Sequence, residues 1–542
     1  MQFARVEQRV EQRVPSMLLL GGRSLLRSPT LRVARAPTLL MAVAARALSA
    51  PALPRPPSIS AAFDSGNIEV SDVACGADDA HTFTLKIRPD AYTHGTDKTA
   101  HFQWFHFRAS GVQGKRCTFV LENAGDASYP EGWEDYKTVA SYDREDWFRI
   151  ASTKYEDGKL SWTLEPERDS VWFSYFAPYS WERHERLVAE LSGPGQLGTH
   201  TSIGETLEGR PLDLLTFGDG PLQLWFTARQ HPGESMAEWC AEGLGRFLND
   251  SNDPLARELR RVATVRLVPN MNPDGAVAGY LRVNAAGANL NREWASGVYE
   301  GYDAPTLERS PEVFYTLAAM DQLGMDAHVD IHGDEAIAAN FFAGTEGIPS
   351  WDESLAEQLK ALSDAFLRRS PDFQVGLGYD VEPPGEGNMA VGSNAVAERY
   401  NALSVTLEMP FKDTLTPAEA ADPVRGWSPG RAKAFGAALG AALLDAAPLV
   451  VAADSGPLQL ASVLGTPVVQ ILGPTDPVEN EPFPTSPARI VRVPQPCSPC
   501  RRGCAIATCM HAVDVDSVFL QARDLLGTLD ADVRPNLEQA ID

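Results

Sequence analysis

His231 and Glu234, two residues with metal-binding side chains, lie three positions apart directly after a predicted strand. The apolar run Leu222–Phe226 predicts that strand, and the segment Arg229–Glu234 (RQHPGE) follows it. A helical pattern begins there, with apolar residues recurring at Met236, Trp239, Cys240, Leu244 and Phe247. Side chains at positions i and i+3 share a helix face, so the pair could hold one ion. By itself, an H-x-x-E pair is also a common feature of ordinary surfaces.

A second histidine and a further carboxylate follow two other predicted strands. His332 comes directly after Ala327–Ile331, and Glu408 comes directly after Leu403–Leu407. Ligands in open α/β sheets bind outside the carboxyl ends of the strands, which is the position these groups share. Two histidines and one carboxylate leave one tetrahedral position on zinc open for water, as in a catalytic site. Zinc lowers the pKa of that water toward ~7 and polarises a carbonyl.

Glu408 has the surroundings expected of a general base. A hydrolase needs a separate carboxylate that takes a proton from water and passes it to the leaving amine. The sequence neighbours of Glu408 are apolar, and desolvation there would raise its pKa: Val405, Leu407, Met409 and Phe411. The alternative is a solvated carboxylate at the end of a strand.

Arg282 and Arg292 lie near Asn291 in predicted loops with little to pack against. Because guanidinium groups match carboxylates, these arginines could grip a free C-terminus or steady an oxyanion. Taken singly, each could equally be a solvated loop arginine.

The segments that position these groups alternate between strands and helices over residues 195–445. A hairpin is predicted from Thr199–Leu207 and Leu212–Phe217. The other predicted elements are the strand Val262–Leu267, the helix Ser310–Leu323 and a helix from Pro429 to Leu444. Such alternation predicts an α/β sandwich with a mixed sheet.

Residues 61–190 have a different pattern, in which short alternating runs such as Thr82–Ile87, Phe102–Ala109 and Val171–Phe176 lie between turn signals. This spacing predicts an antiparallel β-sandwich that is structural or shapes the substrate site. His101 and His106 fall on opposite faces of one predicted strand, which argues against a metal site there. Glu182–Leu191 is predicted as a linking helix.

The composition excludes several function classes. Hydrophobic residues make up 44% and charged residues 22% of the 542 residues, as in ordinary globular proteins. The net charge of −25 argues against a nucleic-acid partner, which would require a basic patch. No apolar run reaches the length of a membrane span. The cysteine pattern is not a disulfide framework, which indicates a reducing compartment.

Residues 1–60 predict a disordered leader. No acidic residue occurs between Glu11 and Asp64, arginines recur, and a proline-rich stretch closes the segment. This is the composition of an organelle transit peptide; the alternative is an unstructured extension, with the true start at Met17 or Met41. The expected location is therefore cytoplasmic, or organellar (mitochondrion or plastid) if the leader is a transit peptide.

The chain resembles the zinc metallocarboxypeptidases, and in particular the cytosolic carboxypeptidase (deglutamylase-like) branch with its bacterial-type members. The resemblance spans about residues 60–445 and includes the predicted β-sandwich. The motifs that carry it are ARQHPGESMAEW (Ala228–Trp239), NPDG (Asn272–Gly275), GANLNREW (Gly287–Trp294), DIHGDE (Asp330–Glu335) and TLEMPFKD (Thr406–Asp413). The resemblance implies a mixed-sheet α/β/α catalytic domain.

The resemblance also implies roles for the site residues. His231, Glu234 and His332 would bind one Zn²⁺, and Glu408 would be the general base and then the acid. Arg282 would polarise the scissile carbonyl and stabilise the oxyanion, while Asn291 and Arg292 would hold the terminal carboxylate of a peptide or protein. Some relatives trim glutamate chains, so removal of glutamates is implied by resemblance alone.

Two features depart from the family pattern or stay open. Many members have an aspartate where this chain has Asn289, as a partner of a zinc-binding histidine; Asn289 still accepts a hydrogen bond but adds no charge. The mobile substrate-binding tyrosine is assigned to Tyr379 rather than Tyr400. His328 is interpreted as a supporting or structural residue rather than a fourth ligand.

Residues 446–542 predict a small α/β appendage that resembles part of the ADP-heptose:lipopolysaccharide heptosyltransferases. The shared motifs are DSG (Asp454–Gly456) and GPTDP (Gly473–Pro477), followed by a cysteine cluster. Half of one glycosyltransferase domain, with Gln459 in place of the expected histidine, does not predict transferase activity. Cys497, Cys500, Cys504 and Cys509 could bind a structural metal, although their spacing is unusual for zinc.

The main hypothesis is therefore a zinc carboxypeptidase acting on peptide or protein C-termini. One alternative is a zinc amidohydrolase that deacylates N-acyl amino acids on the same His-x-x-Glu…His scaffold. Another is a non-catalytic fusion with a sugar-nucleotide-binding tail. The sequence does not set the oligomeric state, and the residues 390–401 predicted to line the side-chain pocket carry no decisive charge.

Overall fold

The computed structural model describes residues 56–76, 79–91, 101–295, 302–414, 422 and 424–445, with scattered residues between 450 and 525. The predicted leader up to residue 55 and the four clustered cysteines lie outside the described residues. Residues 56–542 form one compact unit by their contacts.

Ten short strands form two five-stranded sheets in the described residues 58–174. They are β1 (Ser58–Ser60), β2 (Glu69–Cys75), β3 (His81–Lys86), β4 (His106–Ser110), β5 (Cys117–Leu121), β6 (Val139–Ser141), β7 (Trp147–Arg149), β8 (Lys154–Glu156), β9 (Lys159–Leu164) and β10 (Ser170–Ser174). One sheet has the order β1-β4-β10-β6-β7 and the other β2-β3-β5-β9-β8. The predicted strand-rich domain is confirmed, with one parallel pair, β3 and β5.

The strand predicted over Phe102–Ala109 begins only at His106, so His101 precedes it. The two histidines therefore do not share a strand, and the argument from opposite faces of one strand was wrong. His106 is buried against aromatic rings, and Ser65 Oγ lies 3.0 Å from its Nδ1. Burial, helped by the charge of Arg144, lowers the pKa of His106 to about 3, as expected of a core histidine.

A seven-stranded mixed sheet forms the centre of the second part of the chain. Its order is β11-β12-β14-β13-β15-β17-β16, built from β11 (Gly198–Glu205), β12 (Pro211–Phe217), β13 (Leu222–Ala228), β14 (Ala263–Val268), β15 (Ala327–Ile331), β16 (Phe341–Ala343) and β17 (Leu403–Glu408). Strands β14, β13, β15 and β17 are parallel neighbours, and the outer pairs are antiparallel. The carboxyl ends of the parallel strands therefore meet at one edge.

Helices cover both faces of this sheet, which is why its central strands are almost wholly buried. They are α1 (Trp181–Ser192), α2 (Ser235–Asn249), α3 (Pro254–Val262), α4 (Pro273–Ala278), α5 (Pro311–Leu323), α6 (Glu353–Arg369), α7 (Gly392–Tyr400) and α8 (Pro429–Asp445). Alternate side chains of β13 enter different cores: Trp225 packs with α5 and α7, while Phe226 packs with α2 and α8. The predicted mixed α/β fold is confirmed. The elements of this part that were not predicted are α3, α4, α6, α7 and β16.

Two glycines let α2 and α8 approach closely. A Cβ atom at Gly243 would overlap the carbonyl oxygen of Lys433, and one at Gly436 would overlap that of Cys240. The close crossing buries nearly the whole of α2 and so fixes the helix that begins directly after Glu234.

Three parallel strands, β18 (Val450–Ala453), β19 (Val468–Leu472) and β20 (Ala488–Arg492), are described in the tail. Val469 and Val491 pack against Leu525 there. In the part of the chain that the structure describes, no helix has the length and hydrophobicity required to cross a membrane.

Candidate active site

A strained turn at the end of β13 positions the first predicted metal ligands. Arg229 has φ +60°, a left-handed conformation that is unusual for a residue with a side chain. Its guanidinium group is buried and holds the turn by donating to Pro232 O (3.0 Å), Tyr179 O (2.9 Å) and Glu238 Oε2 (2.6 Å). The turn places His231 and Glu234 over the edge of the sheet, with Glu234 directly before α2.

His231, Glu234 and His332 form a buried group whose candidate ligand atoms all lie within 4.8 Å of one another. The Nδ1 atom of His231 is 2.6 Å from Glu234 Oε1, and that of His332 is 2.9 Å from Glu234 Oε2. The other imidazole nitrogens have oxygen partners: His231 Nε2 lies 3.0 Å from Asn289 Oδ1, and His332 Nε2 lies 2.9 Å from Asp330 Oδ2. These partners orient both Nδ1 atoms toward one point.

The electrostatics of the group favour a cation. Burial, together with the charge of Arg282, lowers the pKa of His231 to about 4, so this imidazole is neutral as a metal ligand must be. Burial alone would raise the pKa of Glu234, but the two imidazoles hold it well below its ordinary value. Burial opposes protonation of His332, yet the carboxylates of Asp330 and Glu234 raise its pKa well above normal.

Glu408 ends β17 beside this group and is 7% exposed. Burial, with the nearby charge of Glu234, raises its pKa to about 8, while His332 acts in the opposite direction. Its Oε2 atom has no hydrogen-bond partner among the described residues, and Oε1 lies 3.2 Å from the Tyr379 hydroxyl. The four apolar sequence neighbours Val405, Leu407, Met409 and Phe411 are fully buried, but they belong to the main core and none of them lines the cleft beside the Glu408 carboxyl group.

Tyr379 is about half exposed, and its hydroxyl donates to Asp334 Oδ2 at 2.7 Å. Burial of the hydroxyl and the negative charges of Glu408 and Asp334 raise its pKa well above the ordinary value. Its ring packs edge-on against Phe341, with the ring centres 5.1 Å apart. Tyr379 belongs to a loop and lines the cleft.

Arg282 is half-buried rather than fully solvated, with its guanidinium carbon 5.6 Å from the centre of the Tyr129 ring. Asn291 Oδ1 accepts a hydrogen bond from Gly392 N at 2.7 Å, which leaves the NH₂ group of this side chain to donate elsewhere. Arg292 is exposed and donates to the backbone oxygen of Asn291.

Seven of the eight predicted site residues line one cleft of about 660 Å³: His231, Glu234, Arg282, Asn291, Arg292, Tyr379 and Glu408. His332 lies directly behind them, hydrogen-bonded to Glu234. His328 is buried between Thr227 Oγ1 (2.8 Å) and Ser404 Oγ (2.9 Å) and is not among the residues that line the cleft.

Several cleft residues were not predicted from the sequence. Tyr129 and Glu131 come from the β-sandwich, and six carboxyl side chains line the cleft besides Glu234 and Glu408: Glu131, Asp334, Glu335, Glu346, Asp380 and Glu382. Asp334 and Glu335 lie within the quoted DIHGDE motif, so their nearness to His332 was available from the sequence. Nothing in the local pattern indicated Tyr129 or Glu131.

Comparison with known proteins identifies the family. Residues 59–176 match the cytosolic carboxypeptidase N-terminal domain, and residues 192–424 match the zinc carboxypeptidase family. A crystal structure of a metallo-carboxypeptidase from Burkholderia cenocepacia is 41% identical, covers 72% of this chain and 98% of its own, and has a TM-score of 0.65. The chain belongs to the zinc carboxypeptidase family.

Other relatives of this zinc carboxypeptidase agree. An uncharacterised protein of Zymomonas mobilis is 44% identical over 378 residues, which are 70% of this chain and 93% of that protein. A metallo-carboxypeptidase from Pseudomonas aeruginosa, solved in complex with (2-guanidinoethylmercapto)succinic acid, is 41% identical, covers 71% and 98% of the two chains, and has a TM-score of 0.64. Mouse cytosolic carboxypeptidase 3 is 28% identical over 53% of this chain and 30% of its own length.

The predicted enzyme class is therefore confirmed: the chain is a zinc-dependent carboxypeptidase, a peptide hydrolase that acts on C-termini. The resemblance of the tail is also confirmed, since residues 438–511 match glycosyltransferase family 9 (heptosyltransferase).

Proposed function

We propose that this enzyme releases C-terminal residues by means of one zinc ion held by His231, Glu234 and His332. One observation carries the proposal: the buried donor group and Glu408, which has an unpartnered oxygen, belong to the same cleft. Two imidazole nitrogens and a carboxylate oxygen are a donor set that fits zinc with one position left open. Support also comes from the oxygen partners on the outer nitrogen of each imidazole.

Zinc, when bound, polarises a carbonyl and lowers the pKa of water. Glu408 takes the proton from the attacking water and delivers it to the leaving amine nitrogen. Its raised pKa suits this transfer, because the carboxyl must hold the proton between the two steps. Arg282 stabilises the negative charge that develops on the carbonyl oxygen, and its half-buried position in the cleft makes that interaction stronger than it would be in water.

Asn291 and Arg292 hold the terminal carboxylate of the substrate. The side-chain oxygen of Asn291 accepts a hydrogen bond from Gly392 N, so its NH₂ group is turned toward the substrate carboxylate as a donor. Arg292 adds a charged fork at the exposed side of the cleft. Tyr379 closes over the bound residue from its loop. The ligand in the Pseudomonas aeruginosa structure, a succinate that carries a guanidinium group, supports a site for a carboxylate-bearing end.

The carboxyl groups of the cleft bear on which residue is released. Six of them line the cleft besides Glu234 and Glu408, whereas the arginines there are Arg282 and Arg292, both assigned above. A terminal glutamate side chain would meet no further cation among these lining residues. We therefore propose that terminal lysine or arginine is released in preference to glutamate, contrary to the removal of glutamates implied by resemblance.

The division of the chain belongs to this proposal: a leader (1–60), a β-sandwich (61–190), a catalytic domain (195–445) and an appendage (446–542). The enzyme would work in the cytoplasm, or in an organelle if the leader is a transit peptide. The appendage contributes none of the cleft residues named above.

The test uses the full chain loaded with one zinc per molecule and a mixture of peptides with free or amidated C-termini. Mass spectrometry should detect loss of one residue from free C-termini and none from amidated ones, because the terminal carboxylate is required. No release from any free C-terminus would refute the proposal. Hydrolysis of N-acyl amino acids without release from peptides would favour the amidohydrolase instead.

A further inference from the structure

A buried carboxylate from the β-sandwich part of the chain anchors the loop that carries Arg282. Asp90 lies after β3 and is 4% exposed. Its carboxylate accepts hydrogen bonds from three consecutive backbone N–H groups: Leu281 (2.7 Å), Arg282 (2.8 Å) and Val283 (3.2 Å). The residues that it joins are more than 190 positions apart in the chain. Three backbone amides, two of them buried, therefore bond to one distant side chain.

The anchored loop is also bonded to the turn of the metal-binding group. Gly233 donates from its backbone N–H to Leu281 O at 3.0 Å, and Gly233 lies between His231 and Glu234. A Cβ atom at Gly233 would lie 2.9 Å from Leu281 O, so the two segments are already at minimum separation. The loop and the ligand turn are therefore held together by a backbone hydrogen bond as well as by close packing.

Residues of the β-sandwich region also contact the side chain of Arg282. Its guanidinium lies over Tyr129, and the backbone of Tyr129 exchanges two hydrogen bonds with the Gln103 amide, at 2.8 and 3.0 Å. At the start of the loop, Asn67 Nδ2 donates to Gly279 O at 2.8 Å. The backbone and the guanidinium of Arg282 thus both rest on residues that precede the catalytic sheet.

We propose that Asp90 is a positioning residue for Arg282, and that the β-sandwich is through it a part of the catalytic apparatus. The proposal rests on the oxyanion-stabilising role given to Arg282 above. A carboxylate offers enough lone pairs for all three amides, and its charge strengthens each bond. An asparagine would offer one acceptor oxygen and turn an NH₂ group toward an N–H, which leaves at least one buried amide unsatisfied.

The kinetic test compares D90N, R282A and the double variant with the wild type, all loaded with zinc. D72N is the matched control, because Asp72 is an exposed carboxylate on β2 of the same region. D90N should lower kcat by about 10²-fold with KM changed by less than about threefold, since a displacement near 1 Å or the loss of an oxyanion donor costs that much. The zinc content of D90N should equal that of wild type, and the kcat and KM of D72N should be those of wild type.

The double variant separates positioning from general destabilisation. If Asp90 acts through Arg282, D90N should cost nothing further once Arg282 is alanine. Losses that add in the double variant, or a D90N enzyme with wild-type kcat, would overturn the proposal. D90E keeps the charge while moving it by one methylene; it should fold and lose about tenfold in kcat. Full activity of D90E would count against the inference.

Hydrogen exchange supplies a readout that needs no activity. In D90N the amides of Leu281–Val283 should exchange at least about tenfold faster than in wild type, while those of β13 stay protected. If zinc-loaded wild type releases no residue, the proposed function fails, but the exchange result still tests the anchor. Unchanged exchange at Leu281–Val283 would overturn the anchor whatever the enzyme does.

Discussion

Replacing Glu408 with glutamine should strongly lower the turnover rate and at the same time stabilise the metal-free protein. The substitution keeps the shape of the side chain but removes the group that accepts the proton of the attacking water. Loss of a positioned general base costs about 10²- to 10⁴-fold in rate, so kcat should fall by this amount. Zinc should be retained, because the ligand atoms belong to His231, Glu234 and His332.

The stability gain follows from the burial of the carboxyl group. Its pKa is raised from 4.5 to about 8, mainly by burial, so the folded chain binds the proton more tightly than the unfolded chain. The free energy of unfolding therefore falls as the pH rises from the pKa of Glu408 in the unfolded chain to its pKa in the folded chain. At about pH 7 the linkage relation gives a penalty of roughly 3 kcal/mol, and at about pH 5 roughly 1 kcal/mol. Glutamine carries neither penalty.

The assay is thermal unfolding of metal-free wild type and E408Q at both pH values, together with peptide hydrolysis by the zinc-loaded proteins. The variant should melt several degrees higher near neutral pH, and the difference should shrink on acidification. A kcat within tenfold of wild type would refute the role of Glu408 as base. A melting difference that does not depend on pH would refute the reasoning from its pKa.

Three further outcomes are expected. Y379F removes the hydroxyl that reaches Asp334 and lies beside Glu408, and should lower kcat/KM about tenfold in steady-state assays without loss of zinc; an unchanged value would exclude Tyr379 from the site. N289D adds a charge next to His231 Nε2 and should tighten zinc binding about tenfold in a competition assay with a chelator. Weaker zinc binding would contradict the role of residue 289 as the hydrogen-bond partner that orients His231. G436A should lower stability by about 2 kcal/mol or more through overlap with α2, and G430A, whose Cβ would meet open space, is its control in the same melting experiment.

Much of the site followed from local sequence patterns. The apolar run before His231 and the helical period after Glu234 predicted a strand, a turn and a helix, and β13 and α2 occupy those positions. The strand before His332 was predicted with its observed bounds, and the strand before Glu408 to within one residue. These predictions succeed because strand and helix periods are set by nearby side chains.

The hydrogen-bond and packing partners of these site residues could not be predicted from local sequence patterns. Which imidazole nitrogen faces the ligand group depends on Asn289 and Asp330, and only the folded chain brings Asn289 to His231. Arg282 was expected in a loop with little to pack against and instead lies half-buried over Tyr129. The carboxyl groups around the cleft come from several separate segments, so the predicted side-chain pocket alone showed no decisive charge.

The sequence by itself therefore determined the chemical groups, the elements that carry them and the edge of the sheet where they gather. The tertiary structure alone decided that Asp90 and Tyr129 support Arg282 from the β-sandwich region. The physical reason is the range of the interactions. Periodicity reports the face and type of an element within a few residues, whereas a contact across some 190 positions depends on how whole sheets pack, which no local pattern records.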